Sequence, residues 1–229
     1  MTAFVLGATG FVGREVVRQL CVRGASVVAH VRPDSRALAD WQARFTALGA
    51  TVDTTPWDQG ALTDRLRALA PSQLYLLIGT TRARAKAEAV PGNIYEAIDL
   101  GLTATAVAAA RASSAAPRLV YLSSIGADPA ARSPYLAARG KAEAAVTGAG
   151  LPWVIARPSF IIGERDERRL GERASAVVGD ALLAVAWLFG ARRLRDRYRS
   201  TCADVLASAL IRLAESPDHD RIVDGSGLR

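Results

Sequence analysis

The chain has 229 residues, half of them hydrophobic, and a formal net charge of +7. That length and apolar content exclude a disordered chain and leave enough residues for one doubly wound domain with its own core. Lysine occurs only at Lys86 and Lys141, so arginine carries nearly all the positive charge. It is spread from Arg14 to Arg229, whereas a nucleic-acid surface requires clustering on one face, and nucleic acid is therefore not an expected partner.

Ala3-Phe4-Val5-Leu6 is an apolar run of strand length, and Gly7-Ala8-Thr9-Gly10-Phe11-Val12-Gly13 follows it directly. Residues 14–22 then repeat apolar side chains at helical spacing. Strand, glycine-rich turn and helix in that order is the context of a dinucleotide-phosphate site. Gly7 allows the tight turn, Gly10 lets the backbone approach a pyrophosphate, and Gly13 lets helix and strand pack closely. The exposed N–H groups of the turn, with Thr9, Phe11 and Val12 among its residues, and the positive end of the helix dipole then hold the phosphates.

Residues 25–31 read as the second strand, ended by Arg32-Pro33. An acidic residue here would bind the ribose 2′-hydroxyl of NAD, whereas arginine suits the 2′-phosphate of NADP. Arg32 thus favours NADP (as NADPH), although Asp34 stands two residues later. A helix is expected over 35–48 and a third strand over 50–54. Trp57-Asp58 falls where such folds touch the adenine, although Trp57 equally suits a cap on the core. A helix over 61–70 is closed by Pro71. Residues 73–78 form a continuous apolar run, as in a central parallel strand covered on both faces. The run leads into Gly79-Thr80-Thr81, beside the expected nicotinamide ribose. Residues 82–92 read as a loop or frayed helix.

A long helix is expected over 94–113 and a fifth strand over 118–122, ending at Ser123-Ser124. A helix over 135–147 and a sixth strand over 153–156 follow, then Arg157-Pro158 and a charged segment to Arg173 on the substrate side. Residues 174–191 are apolar but interrupted by Asp180 and glycines, too short and broken for a membrane span. They suit a core or interface helix and admit peripheral membrane contact. Residues 204–215 read as a last amphipathic helix and 221–224 as a terminal strand.

The chemistry-bearing residues fall at strand ends, in the crevice where strand order reverses: Ser123 or Ser124, and Tyr135 opening the next helix. The glycine motif, Gly79-Thr80-Thr81-Arg82, Leu122-Ser123-Ser124-Ile125-Gly126-Ala127-Asp128, Tyr135-Leu136, Gly140, Glu143 and Arg157-Pro158 together resemble the atypical short-chain dehydrogenase/reductases. More narrowly, the chain is similar to the TIP30-like (Tat-interacting protein) group of small NADPH-binding proteins. The resemblance covers most of the chain up to about Arg173. It implies one α/β domain over 1–229, a doubly wound, mostly parallel Rossmann sheet with helices on both faces. Residues 158–229 would supply a small substrate-side part.

The resemblance also implies that Ser124 polarises a carbonyl and Tyr135 exchanges the proton, while NADPH exchanges the hydride. Asp58, Gly79, Thr80, Thr81, Ser123, Tyr135, Arg139 and Pro158 would help hold the nucleotide. Related reductases carry a lysine four residues after the tyrosine, and here that residue is Arg139. At about 100° per residue, position i+4 returns to within about 40° of the tyrosine, whereas Lys141 lies about 240° round the helix. Arg139 keeps the positive charge but cannot give up a proton.

The expected function is therefore an NADP-dependent oxidoreductase acting on a small carbonyl or alcohol. The alternative, prompted by Arg139, is a non-catalytic NADP(H)-binding regulator that engages a protein partner. A nucleotide-sugar epimerase or dehydratase is the weaker third reading, since about seventy residues after Arg157 leave little beyond the fold itself. Neither His30 nor His219 is placed for catalysis, no metal-ligand spacing exists, and a serine-hydrolase nucleophile elbow is missing. Cys21 and Cys202 make no disulfide framework, and with the first core strand beginning at Thr2 or Ala3 no leader is expected. The expectation is a cytoplasmic monomer or homodimer.

Overall fold

In the computed structural model, which describes residues 1–79, 92–159, 161–162 and 201–229, the apolar runs become strands. They are β1 (Thr2–Leu6), β2 (Ser26–His30), β3 (Thr51–Asp53), β4 (Gln73–Leu76), β5 (Arg118–Leu122), β6 (Trp153–Arg157), β7 (Ile161–Ile162), β8 (Thr201–Cys202) and β9 (Arg221–Asp224). Seven of them form a sheet in the order β3-β2-β1-β4-β5-β6-β9, parallel at every pairing, and β7 pairs with β8 separately. This is the doubly wound order, with the reversal between β1 and β4, and the expected fold class stands.

Period-two alternation sends successive side chains to opposite faces and so divides the core in two. Ala3, Val5 and Tyr75 face one layer, built by α1 (Phe11–Val22), Phe45 of α2 (Leu38–Ala47) and the last helix. Phe4, Leu6, Leu74 and Tyr121 face the other, built by α3 (Gln59–Leu69), α4 (Thr103–Ala112) and α5 (Pro134–Thr147). That last helix, α6 (Ala203–Glu215), lies along α1. Gln19 ties the two together by donating to the Asp204 carbonyl at 2.9 Å and accepting from Ser208 at 2.8 Å.

One expected element differs in kind. The helix predicted over 94–113 begins as a π-helix, Tyr95–Leu102, and becomes α-helical only in α4. Asp99, within the π-helix, is fully buried. Helix α3 stops at Leu69, because proline disfavours the right-handed helical conformation before it and Ala70 takes φ +42°. The apolar segment 174–191, Thr80, Thr81 and residues 82–91, and residues 163–173 lie outside the described residues.

His30 is buried at the end of β2, its Nε2 2.8 Å from the Thr55 carbonyl oxygen and its ring edge-on to Trp57. Burial holds its pKa below the ordinary 6.5, with the Thr55 bond working the other way. The unfolded chain therefore takes up a proton before the native state does as pH falls below 6.5. Stability is thus full above 6.5 and is lost as pH falls from there through the lowered native pKa. Urea midpoints measured across this window should decline in the wild type and more shallowly in His30→Gln; equal slopes would contradict the assignment.

Candidate nucleotide-binding and catalytic site

The glycine turn is shaped by contacts that no side chain could share. Gly7 adopts φ +81°, and a Cβ there would sit 2.5 Å from the Leu77 carbonyl oxygen. A Cβ on Gly13 would meet the Gly7 oxygen at 2.2 Å, so α1 rests directly on the turn. Gly10 donates to Gly7 O at 3.0 Å and caps α1 with no side-chain hydrogen bond. Gly10 thus brings no side chain to the N-terminus of α1, where the positive end of the helix dipole suits an anion. Val12 is buried in the core, so it can contribute only its backbone N–H. This cradle fits a dinucleotide pyrophosphate.

At the end of β2, Arg32 stands half exposed with Nε 3.7 Å from Asp34 Oδ1, a loose surface pair. Asp58 caps α3, its Oδ1 accepting from the Ala61 N–H at 2.9 Å. Trp57 packs on the core, as the core-cap alternative anticipated, and among the described residues its buried indole Nε1 has no partner.

The candidate catalytic residues lie at the ends of β4, β5 and β6. Ile125 N–H donates to the Pro158 carbonyl at 2.9 Å, tying the turn after β5 to the end of β6. Asp128 N–H donates to Leu136 O at 3.3 Å, and a Cβ on Gly140 would sit 2.3 Å from the Asp128–Pro129 peptide. Gly140 therefore lets α5, with Tyr135 in its first turn, lie against the turn that carries Ser123 and Ser124. Glu143 accepts both an Nε bond (2.9 Å) and an Nη2 bond from Arg157, which fixes β6 to the same helix and holds the Arg157 pKa above its ordinary value. Ser124 Oγ makes only a long bond, 3.4 Å, to Ile125 O. Among the described residues, Ser123 Oγ is buried with no partner. Tyr135 is half buried, with Tyr95 edge-on at 5.3 Å between ring centroids.

Arg139 does return to the tyrosine's face, its Cζ 5.4 Å from the Tyr135 ring centroid and 5.8 Å from that of Tyr121. Its donors, however, are largely engaged inside the protein. Nη2 lies 2.7 Å from Asp99 Oδ1, and Nη1 donates to Leu122 O at 2.7 Å and to the Tyr121 hydroxyl at 3.2 Å. Burial lowers the guanidinium pKa, but Tyr121, Tyr135 and Asp99 together outweigh it and hold the pKa above its ordinary value. Burial likewise raises the Tyr121 pKa, against the opposing pull of Arg139. A Cβ at Gly79 would meet Arg139 Nη2 at 2.5 Å, so glycine at the end of β4 is what lets the guanidinium reach Asp99.

Arg139, expected to help hold the ribose, is thus engaged in a buried ion pair with Asp99. Asp99, fully buried, is the site residue that sequence reasoning missed. Its signal was a single acid in the otherwise apolar stretch Ile98-Asp99-Leu100-Gly101-Leu102. Among the described residues no cluster of three or more His, Cys, Asp or Glu could hold a metal, and no helix is long and apolar enough to cross a membrane.

The sheet order and the glycine cradle together are those of a dinucleotide-binding Rossmann protein. The sequence profile of the family described as NAD(P)H-binding matches residues 7–182, and the chain belongs to that family. It is similar to the mitochondrial protein FMP52 of Coccidioides immitis, with 30% identity over 199 residues covering 82% of this chain and 77% of that one. The FMP52 protein of Candida albicans is 27% identical over 187 residues, covering 79% and 76%.

Among solved structures, UDP-N-acetylglucosamine 4-epimerase from Bacillus cereus superposes with a TM-score of 0.65 at 14% identity, covering 97% of this chain and 76% of that one. The Bordetella bronchiseptica enzyme WbmH, solved with NAD+, gives 0.65 at 15%, covering 95% and 73%. At such identities the likeness is one of fold. The relatives carry the name FMP52, not that of the TIP30-like group. Their designation as mitochondrial overturns the cytoplasmic expectation, which rested on composition and the position of the first strand.

Proposed function

We propose that this protein is an NADP(H)-dependent oxidoreductase acting on a small carbonyl or alcohol. The observation that carries the reading is the shared sheet edge: the cradle of Gly7, Gly10 and Gly13 opens beside the strand ends that bring Ser124 and Tyr135 onto neighbouring, mutually bonded elements. The bound nicotinamide would supply or accept the hydride. Ser124, whose hydroxyl is held only by a long bond, donates to the substrate oxygen. Tyr135 supplies the proton to that same oxygen and, half buried, recovers it from solvent. Arg139 cannot relay it, because a guanidinium does not give up a proton and two of its nitrogens already serve Asp99, Tyr121 and Leu122.

The same ion pair favours a second reading, a nucleotide-binding regulator without turnover. Asp99 cancels the charge that Arg139 would otherwise present to Tyr135. Thr80 and Thr81 keep the nicotinamide-ribose role expected of them in either reading. NADP is favoured over NAD by Arg32. Calorimetry with NADPH and NADH should show tighter binding of NADPH. Arg32→Ala should lose about 1.5–3 kcal/mol of that binding, as for a hydrogen bond to a charged group. A wild-type preference for NADH would remove the NADP assignment.

A further inference from the structure

Residues of α1, α2 and α6 frame a groove of about 470 Å³, whose apolar lining comes from Phe11, Phe45, Leu48 and Ala203. Two arginines of the same groove meet on one aromatic ring: Arg14 Cζ lies 5.8 Å and Arg44 Cζ 5.3 Å from the Trp41 centroid. Phe45 stacks on that indole, with centroids 5.5 Å apart and planes at 23°, which fixes it. Both arginines are exposed, and among the described residues neither has a carboxylate partner. The two acids that line the groove are directed at Arg18 instead. Glu15 accepts from Arg18 Nη2 at 2.5 Å and from Gln19 Nε2 at 2.8 Å. Glu15, and Asp204 to a smaller extent, hold the Arg18 pKa above its ordinary value. Arg14 and Arg44 therefore carry the groove's uncompensated charge.

Exposed apolar side chains gather on the same elements. Of the five large ones exposed among the described residues, Val22 is on α1, Leu48 follows α2 and Val205 is on α6. Arg14, Arg18 and Val22 recur at i, i+4 and i+8, within about 80° of one another round α1, and all three are exposed. An apolar groove edged by unpaired arginines matches an amphipathic helix that carries acids beside its apolar face. A second copy of this chain fits poorly, because a twofold contact pairs a patch with itself and would set arginine against arginine. A lipid surface would reach the arginines but not Phe45, which is buried.

We propose that this groove docks an acidic amphipathic helix of a partner protein, with its apolar side chains over Phe45 and Leu48 and its carboxylates on Arg14 and Arg44. Bracing on Trp41 holds the two guanidiniums in place before the partner arrives. The site stands with either reading of the function above, since it uses neither Ser124 nor Tyr135.

The test is fluorescence anisotropy of a labelled helical peptide of about four turns, with leucine at i, i+3, i+4 and i+7 and glutamate flanking them. One control peptide carries lysine for glutamate, and another has the leucines scrambled off one face. The glutamate peptide should bind the full chain at least about tenfold more tightly than either control. Arg14→Ala and Arg44→Ala should each weaken it about fivefold or more, less so as salt is raised, and Leu48→Asp about tenfold. Arg67→Ala, on α3 in the other layer, should change nothing. All four positions are exposed, so the variants should fold. No binding of the glutamate peptide, equal binding of the lysine peptide, or indifference to the three groove variants would overturn the proposal. Displacement by saturating NADPH would place the peptide in the nucleotide crevice and overturn it as well. Flotation with phosphatidylserine vesicles that Arg14→Ala and Arg44→Ala abolish, without peptide binding, would assign the surface to a membrane instead.

Discussion

Arg139→Ala is expected to cost the fold about 3–5 kcal/mol, the range for removing one partner of a buried ion pair. The substitution strips the guanidinium from a carboxylate that is fully buried, and it also deprives the Tyr121 hydroxyl and the Leu122 carbonyl of a donor. The cost comes mainly from charge left in the interior, not from the attraction itself, since desolvation offsets much of what the pair gains. Replacing both partners with apolar residues of similar volume, as in Asp99→Leu with Arg139→Met, should therefore recover most of the loss. Urea denaturation of the single and double variants decides the matter. A loss below about 1 kcal/mol in Arg139→Ala would mean that the pair behaves like an exposed one.

The second large effect concerns chemistry alone. Tyr135→Phe should lower turnover by about 10²–10⁴-fold, the range for a positioned general acid, while NADPH affinity stays nearly intact. The ring is retained, so its edge-on contact with Tyr95 and its position over Arg139 survive, and only the proton donor is lost. Arg139→Lys, which restores a side chain able to give up a proton, should hold or raise the rate. If turnover is unchanged in Tyr135→Phe, the proton comes from elsewhere and the assignment fails.

What was legible in the sequence follows the range of the forces involved. Strands and the glycine turn are local: alternation or continuous apolarity marks β1, β4 and β5, and Gly7 and Gly13 stand where a Cβ has no room. Ser124 and Tyr135 could be placed because they follow a strand end and open a helix, and Arg139 because it lies one helical turn beyond Tyr135. The partner of Arg139 could not. Asp99 lies forty positions earlier in the chain, on a helix whose first turns are π-wound, and no residue pattern announces that winding. The same holds for Arg14 and Trp41, whose side chains meet from two different helices. Compartment was the expectation that failed. Composition records how a chain folds and stays soluble, and the relatives' mitochondrial names rest on nothing a core pattern encodes.

The most direct test of the central claim is isotope transfer. NADPH carrying deuterium on the transferable position of its nicotinamide is incubated with the wild-type protein and a panel of aldehydes, ketones and quinones, and the products are weighed by mass spectrometry. The oxidoreductase account predicts labelled alcohol from at least one carbonyl, with the label nearly absent from product formed by Tyr135→Phe in the same time. Tight NADPH binding with no label in any product would contradict that account and leave the protein a nucleotide-binding regulator.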